Sequence, residues 1–217
     1  MTEPSPDTWE AAISAGWRVV QDRIEIRHDL DFAHEHTLQF HLAWEVARLF
    51  GFSSDFQVRF EVRAVAPKPR GAILTDIIFW TDPEFRVAVE LKAPDRSEDG
   101  SNSRMTHGRM AFYKDVDRLR FLVDTPSLKI RRRVFLAVVN ELVYVTHRQQ
   151  WKNLDYNTFD GTNVEVGRLL TATEGRNGCP YPLRMPAHSL SWRWECERSG
   201  GTIMPAAGNR YYWLAPF

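Results

Sequence analysis

The chain has 217 residues with 43% apolar content, a length usual for one domain and long enough to bury a substantial core. Its 28 basic and 28 acidic residues cancel to a formal net charge of +0, which excludes strong overall attraction to a polyanion; nucleic-acid binding has to be local or shared with a partner protein. Nothing at the N-terminus pairs a basic start with an apolar stretch, and no window approaches the roughly eighteen apolar residues of a membrane span, so the expectation is a cytoplasmic protein with no membrane association.

Two cysteines, Cys179 and Cys196, are too few for a zinc ribbon or a disulfide framework and read as ordinary thiols. Only five of the cations are lysine: Lys68, Lys92, Lys114, Lys129 and Lys152. A lysine is therefore informative wherever arginine would serve equally well.

Residues 1–12 are polar and rich in Pro and acid, which reads as a frayed end, with organisation starting near Asp31. From Asp31 to Phe50 a helix is expected. Asp31 is its cap, Leu38, Leu42, Val46 and Leu49 form its apolar face, and Gly51 ends it. Phe56–Val65 alternates as a strand and stops at the Pro67–Gly71 segment. Strands follow at Ile73–Trp80 and Phe85–Ala93, joined by the turn Thr81-Asp82-Pro83-Glu84 into a hairpin. Residues 94–108 lack periodicity and read as a long loop, then Arg109–Val123 as a helix and Val134–Val139 as a central apolar strand. The order is αβββαβ. Beyond Asn140 the pattern weakens to a short helix near Thr146–Leu154 and strand pieces at Val164–Thr171, Leu190–Cys196 and Tyr211–Leu214. Its aromatics, Trp192, Trp194, Tyr211, Tyr212 and Trp213, read as cover for a sheet rather than as a base-stacking platform.

The chemistry-bearing segment is Glu90-Leu91-Lys92. On a strand, Glu90 and Lys92 share one side while Val87, Val89 and Leu91 face a core. A turn centred on Pro83 pairs residues whose numbers sum to 166, so Asp76 falls opposite Glu90 on that same face. Two adjacent carboxylates repel unless a cation lies between them. Magnesium, or manganese in its place, suits an all-oxygen site that keeps several waters, with the Leu91 carbonyl as a further ligand. Lys92 can orient or activate a water there, which an arginine cannot. The plain alternative is an ion-pair cluster on a hairpin edge.

The Asp76 and Glu90-x-Lys92 strands, set between two helices and followed by an apolar strand, resemble the core of the PD-(D/E)xK phosphodiesterase superfamily over about residues 31–140, with Thr75 where its proline often stands. The stretches LQFHLAWE, AVELKAP and FYKDVDRLRFLV are similar to uncharacterised bacterial members. The resemblance implies a restriction-endonuclease-like α/β fold, a mixed central sheet flanked by helices, with a β-rich extension over about 141–217, all within a single domain. It implies metal-dependent hydrolysis of nucleic acid, most naturally DNA, to a 5′-phosphate product. A glutamate on the first helix often completes such a site. Glu35, with Gln39 one turn later, is the first choice and Glu45 the second. Lys114 and Asp117 match the pattern of the second helix as auxiliary groups. Arg104, Arg109 and Arg131 are candidate phosphate contacts, and a homodimer or partner protein would suit concerted double-strand cleavage. His34, His36 and His41 diverge around their helix and read as surface or packing histidines. The rival reading is a non-catalytic adaptor or nucleic-acid-binding module on the same fold. A Ser/His or Cys/His hydrolase has no nucleophile motif here.

Overall fold

The computed structural model describes residues 6–30, 34–65, 72–94, 105–123, 125–146, 156–164, 169–170, 183–184 and 190–217. The fold is mixed α/β, a mostly antiparallel sheet flanked by helices. Two compact units share the chain: Met1–Leu91 with Arg118–Leu136 and Pro216, and Lys92–Asp117 with Ala137–Ala215 and Phe217.

The first unit opens with an element absent from the sequence expectation, which has residues 1–12 frayed and organisation starting near Asp31. Helix α1 spans Pro6–Asp22 and continues into a π-helical turn, Arg23–Arg27, that closes on His28 at φ +54°. Trp9, Ile13, Trp17, Val20 and Ile24 recur at helical spacing and are all buried. Trp9 alone touches three rings, Phe50 at 4.4 Å and Phe56 and Phe79 at 6.1 Å between centroids. These contacts anchor α1 in the core, and the polar residues around its apolar stripe hid it.

Helix α2 covers Glu35–Leu49, shorter than expected, with His34 as N-cap; Asp31, the expected cap, lies outside the described residues. Leu38, Leu42 and Val46 are buried as expected, whereas Leu49 is exposed. Gly16 of α1 lets the two helices approach, since a Cβ there would stand 3.2 Å from Val46 Cγ2. Gly51 at φ +65° ends α2, and the Phe52 N–H reaches back to the Ala47 carbonyl at 2.9 Å.

Strands β1 (Gln57–Val65), β2 (Ala72–Asp82) and β3 (Phe85–Lys92) follow, then helix α3 (Met105–Val123) and strand β4 (Ile130–Val139). In the first unit the strand order is β1-β2-β3-β4. The expected succession from α2 to β4 is present. Two boundaries moved: α3 starts four residues before Arg109, and β4 starts at Ile130, so Arg131, Arg132 and Arg133 belong to the strand rather than preceding it. The expected loop at 94–108 falls mostly on residues 95–104, outside the described residues.

In the second unit the last residues of β4 pair with β11 (Tyr212–Leu214), which pairs in turn with β9 (Trp194–Ser199), and β9 with β10 (Thr202–Pro205). Two short ladders join β5 (Asn163–Val164) to β8 (Leu190–Ser191) and β6 (Leu169–Leu170) to β7 (Leu183–Arg184). The expected helix at 146–154 lies almost wholly outside the described residues, while Leu142–Tyr144 forms a 3-10 turn. Trp192, Trp194, Tyr212 and Trp213 are buried, as the core reading of the aromatics required.

Candidate active site

The β2–β3 ladder runs Ile77↔Val89, Ile78↔Ala88, Phe79↔Val87 and Trp80↔Arg86. This register, extended by one residue, sets Asp76 opposite Glu90. There the side chain replaces the backbone ladder, for Asp76 Oδ2 accepts the Leu91 N–H at 2.7 Å. On the other side β1 keeps a constant register through Phe60↔Ile77 and Val62↔Thr75, which puts Glu61 opposite Asp76. Glu61 takes φ +48°, a left-handed conformation that a non-glycine residue rarely adopts. Asp76 therefore sits where two ladders are locally broken. Nothing in the alternating sequence of β1 marks Glu61, because left-handed backbone has no signature outside Gly, Asn and Asp.

Glu90 is 1% exposed. A buried carboxylate needs a compensating cation, and Arg118 supplies one: its Nη1 donates to Glu90 Oε2 at 3.0 Å and to the Leu74 carbonyl at 2.9 Å. One guanidinium thus ties β2 to β3 beside both carboxylates. Lys92, the last residue of β3, has its own partner in the second unit, with Nζ 3.4 Å from Asp115 Oδ2; Asp115 is 3% exposed. Asp115 and Arg118 are three apart on α3 and share its face, just as Glu90 and Lys92 are two apart on β3 and share theirs. Both partners stand inside the stretch FYKDVDRLRFLV, beside the expected auxiliary residues Lys114 and Asp117. Asp117 is buried and Lys114 is exposed.

The helix candidates separate. Glu45 is buried and bound to Arg48 Nε at 2.8 Å, with its Cβ 3.5 Å from the position of a Cβ on Gly16, so it belongs to the side of α2 that meets α1. Gln39 is buried on another side. It lines an open groove of about 400 Å³ with His36, Phe40, Phe60 and Glu61, and His36 Nδ1 lies 3.2 Å from its Oε1. Glu35, one turn before Gln39, is the first residue of α2. The groove joins Gln39 to Glu61, the residue opposite Asp76 in the register.

The cation candidates fare unequally. Arg131 is exposed at the start of β4, and Arg104 lies outside the described residues. Arg109 is corrected: it is 1% exposed, with its guanidinium 5.5 Å from the Phe159 ring centroid, so it is a core residue of α3 and not a surface phosphate contact. His41 is half-buried against Arg23 at 2.9 Å, and burial first, Arg23 second, push its pKa down. His34 and His36 are exposed. Cys196 is a free thiol whose pKa is raised, chiefly by burial and then by Asp160; Cys179 lies outside the described residues.

Among the described residues, no group of three or more His, Cys, Asp and Glu is placed to hold a metal. Asp76 and Glu90 form a pair. A pair of carboxylates is enough for magnesium, which completes its shell with water, and the donors here are hard oxygens of the kind it selects. Glu90 already carries a cation, Arg118, which a divalent ion on the same carboxylate would have to displace or share. By donor type, Asp76 and Glu90 are the residues here that suit a divalent ion. No family model, curated protein or solved structure matches this chain.

Proposed function

We propose that the protein is a metal-dependent nuclease of the PD-(D/E)xK type, with a restriction-endonuclease-like core and DNA as its substrate. The observation that carries this reading is the β2–β3 register, which opposes Asp76 and Glu90 on adjacent strands with Lys92 two residues further along β3. Asp76, Glu90 and the Leu91 carbonyl would hold Mg²⁺ or Mn²⁺. The ion, when bound, supplies Lewis-acid polarisation of the phosphate and offsets charge on the leaving oxygen. Asp76 is positioned for this by the Leu91 N–H, which fixes one carboxylate oxygen. Lys92, held by Asp115, is suited to donating hydrogen bonds to a water or a phosphate oxygen. Gln39 and Glu61 border the groove, and Glu61 lies opposite Asp76 in the register, so the two would steer the strand being cut. Of the helix acids, Glu35 remains the choice, because Glu45 is committed to Arg48.

The test is cleavage of supercoiled plasmid, linear duplex and single strands with Mg²⁺ or Mn²⁺, beside Asp76→Asn and Glu90→Ala. Metal-dependent cleavage by wild type and its loss in both variants is the expected result. Equal cleavage by wild type and Glu90→Ala would remove Glu90 from the site.

A second reading, a non-catalytic adaptor, draws on a specific observation: the ion pairs Glu90–Arg118 and Lys92–Asp115 hold strand to helix. Calorimetry with Mn²⁺ separates the two, since an adaptor built on ion pairs alone takes up no metal.

A further inference from the structure

Arg118 stands where a divalent ion at Glu90 would have to be accommodated. Its Nη1 is 3.0 Å from Glu90 Oε2, and Glu90 is nearly without exposed surface, so solvent screens little of the repulsion between that guanidinium and a second cation on the same carboxylate. Arg118 itself is differently placed. Its side chain keeps about a third of its surface exposed, at 29%, and the same Nη1 has a second acceptor in the Leu74 carbonyl at 2.9 Å. It can give up the carboxylate without losing its anchor on β2. Glu90 has no such freedom, being fixed on a buried strand between Val89 and Leu91.

We infer that Arg118 is a resident counter-cation, a metal-competing residue that neutralises Glu90 in the metal-free protein and is displaced from it when a divalent ion binds. This rests on the nuclease reading and deepens it: uptake of metal would be regulated by an exchange of cations on Glu90. The exchange has two consequences. Without metal the buried carboxylate is never left uncompensated, so the site folds before it is loaded. With metal, the released guanidinium stays tied to Leu74 beside Asp76, where a substrate phosphate would arrive.

The competition is read as binding, without any turnover. Mn²⁺ titrated by calorimetry into Arg118→Met, which keeps the alkyl stem, should bind about tenfold or more tightly than into wild type. Arg120→Met, which removes a cation two residues along the same helix and leaves the Arg118–Glu90 pair in place, should stay within about twofold of wild type. The melting temperature should fall in metal-free Arg118→Met and rise more steeply with Mn²⁺ than in wild type, and Glu90→Gln combined with Arg118→Met should lose that rise. Should Arg118→Met not fold, the wild-type protein supplies the readout: Mg²⁺ should speed hydrogen exchange of the Arg118 guanidinium, and unchanged exchange at saturating metal overturns the inference. Equal affinities for wild type and Arg118→Met, or equal tightening in Arg120→Met, also overturn it while leaving the nuclease reading standing. If neither wild type nor Arg118→Met binds Mn²⁺, both the inference and the nuclease reading fail, and the adaptor remains.

Discussion

The β2–β3 hairpin and the aromatic cluster around Trp192 bury polar atoms by opposite means. In the hairpin the buried groups are charged, Glu90 against Arg118, with the half-buried Asp76 accepting the Leu91 backbone N–H. In the cluster the groups that hydrogen-bond to the aromatics are neutral. The Tyr113 hydroxyl donates to the Asn157 carbonyl and receives the Trp192 indole N–H at 3.1 Å, Trp194 Nε1 donates to the Thr158 carbonyl at 2.6 Å, and the Thr158 hydroxyl to the Tyr144 carbonyl at 2.7 Å. Neutral networks of this kind add stability and fix one packing arrangement. A buried ion pair adds little to stability over an apolar pair of the same size, so charge retained in the hairpin calls for another purpose. On the proposed nuclease reading, the cluster serves folding and the hairpin charges serve chemistry.

The contrast fails if the hairpin charges prove structural. Asp76→Asn is the sharpest probe, because an amide oxygen still accepts the Leu91 N–H while the charge is gone. Cleavage should drop by about three orders of magnitude, roughly 4 kcal/mol of transition-state stabilisation, with the melting temperature almost unmoved. A matching loss of stability would make Asp76 a structural residue. At the other pole, Trp192→Ala should cost about 3 to 5 kcal/mol in urea unfolding, since Trp192 is fully buried and packs on Phe112, Tyr113, Trp194 and Phe217. Its effect on cleavage per folded molecule should be small.

The hairpin was legible in the sequence because two local rules act together there: period-two alternation fixes the faces, and the turn at Pro83 fixes the register. Asp76 opposite Glu90 followed from arithmetic. Their partners did not, since Arg118 is 28 residues from Glu90 along the chain and only the placement of α3 brings it there. Arg109 was misread for a related reason. With the helix taken to begin at Arg109, a basic first residue looks like a solvated end; with the helix beginning at Met105, Arg109 is a turn inside and meets Phe159. Helix α1 was missed because its stripe of Trp9, Ile13, Trp17 and Val20 is narrow and lies among alanines and polar residues. The strands after Asn140 span two to six residues, too short for alternation to declare itself.

Gly108 tests how tightly the neutral region is built. A Cβ at this position would stand 2.2 Å from the Tyr144 hydroxyl, and Tyr144 cannot yield freely because it is buried and stacked on Phe112 with 5.4 Å between centroids. Gly108→Ala should therefore destabilise by about 2 to 3 kcal/mol in urea melts. Tyr144 also sets an alkaline limit. Burial first, and Glu141 second, raise its pKa from 10.0 to about 12. The folded state holds this proton more tightly than the unfolded chain, so the contribution is complete below pH 10 and is lost as pH rises through 12. Stability should fall by about 1.4 kcal/mol per pH unit across that window. Tyr144→Phe should flatten the slope.

The smallest effect is expected at Lys114, and it marks where the charged region ends. Lys114 lies between Tyr113 and Asp115 on α3, both buried, yet is itself exposed, so one helix presents a core aromatic, a solvated cation and a paired acid at successive positions. Successive helical residues point about 100° apart, so neighbours in sequence separate into different environments. Lys114→Ala should change stability by no more than about 0.5 kcal/mol and cleavage by no more than about twofold. Asp115→Asn, one residue on, removes the partner of Lys92 and should lower cleavage by about ten- to a hundredfold. Should Lys114→Ala prove as damaging as Asp115→Asn, the exposed face of α3 also meets the substrate. The chemistry would then extend beyond the β2–β3 face, and the separation between a charged site and a solvated helix face would have to be redrawn around Lys114.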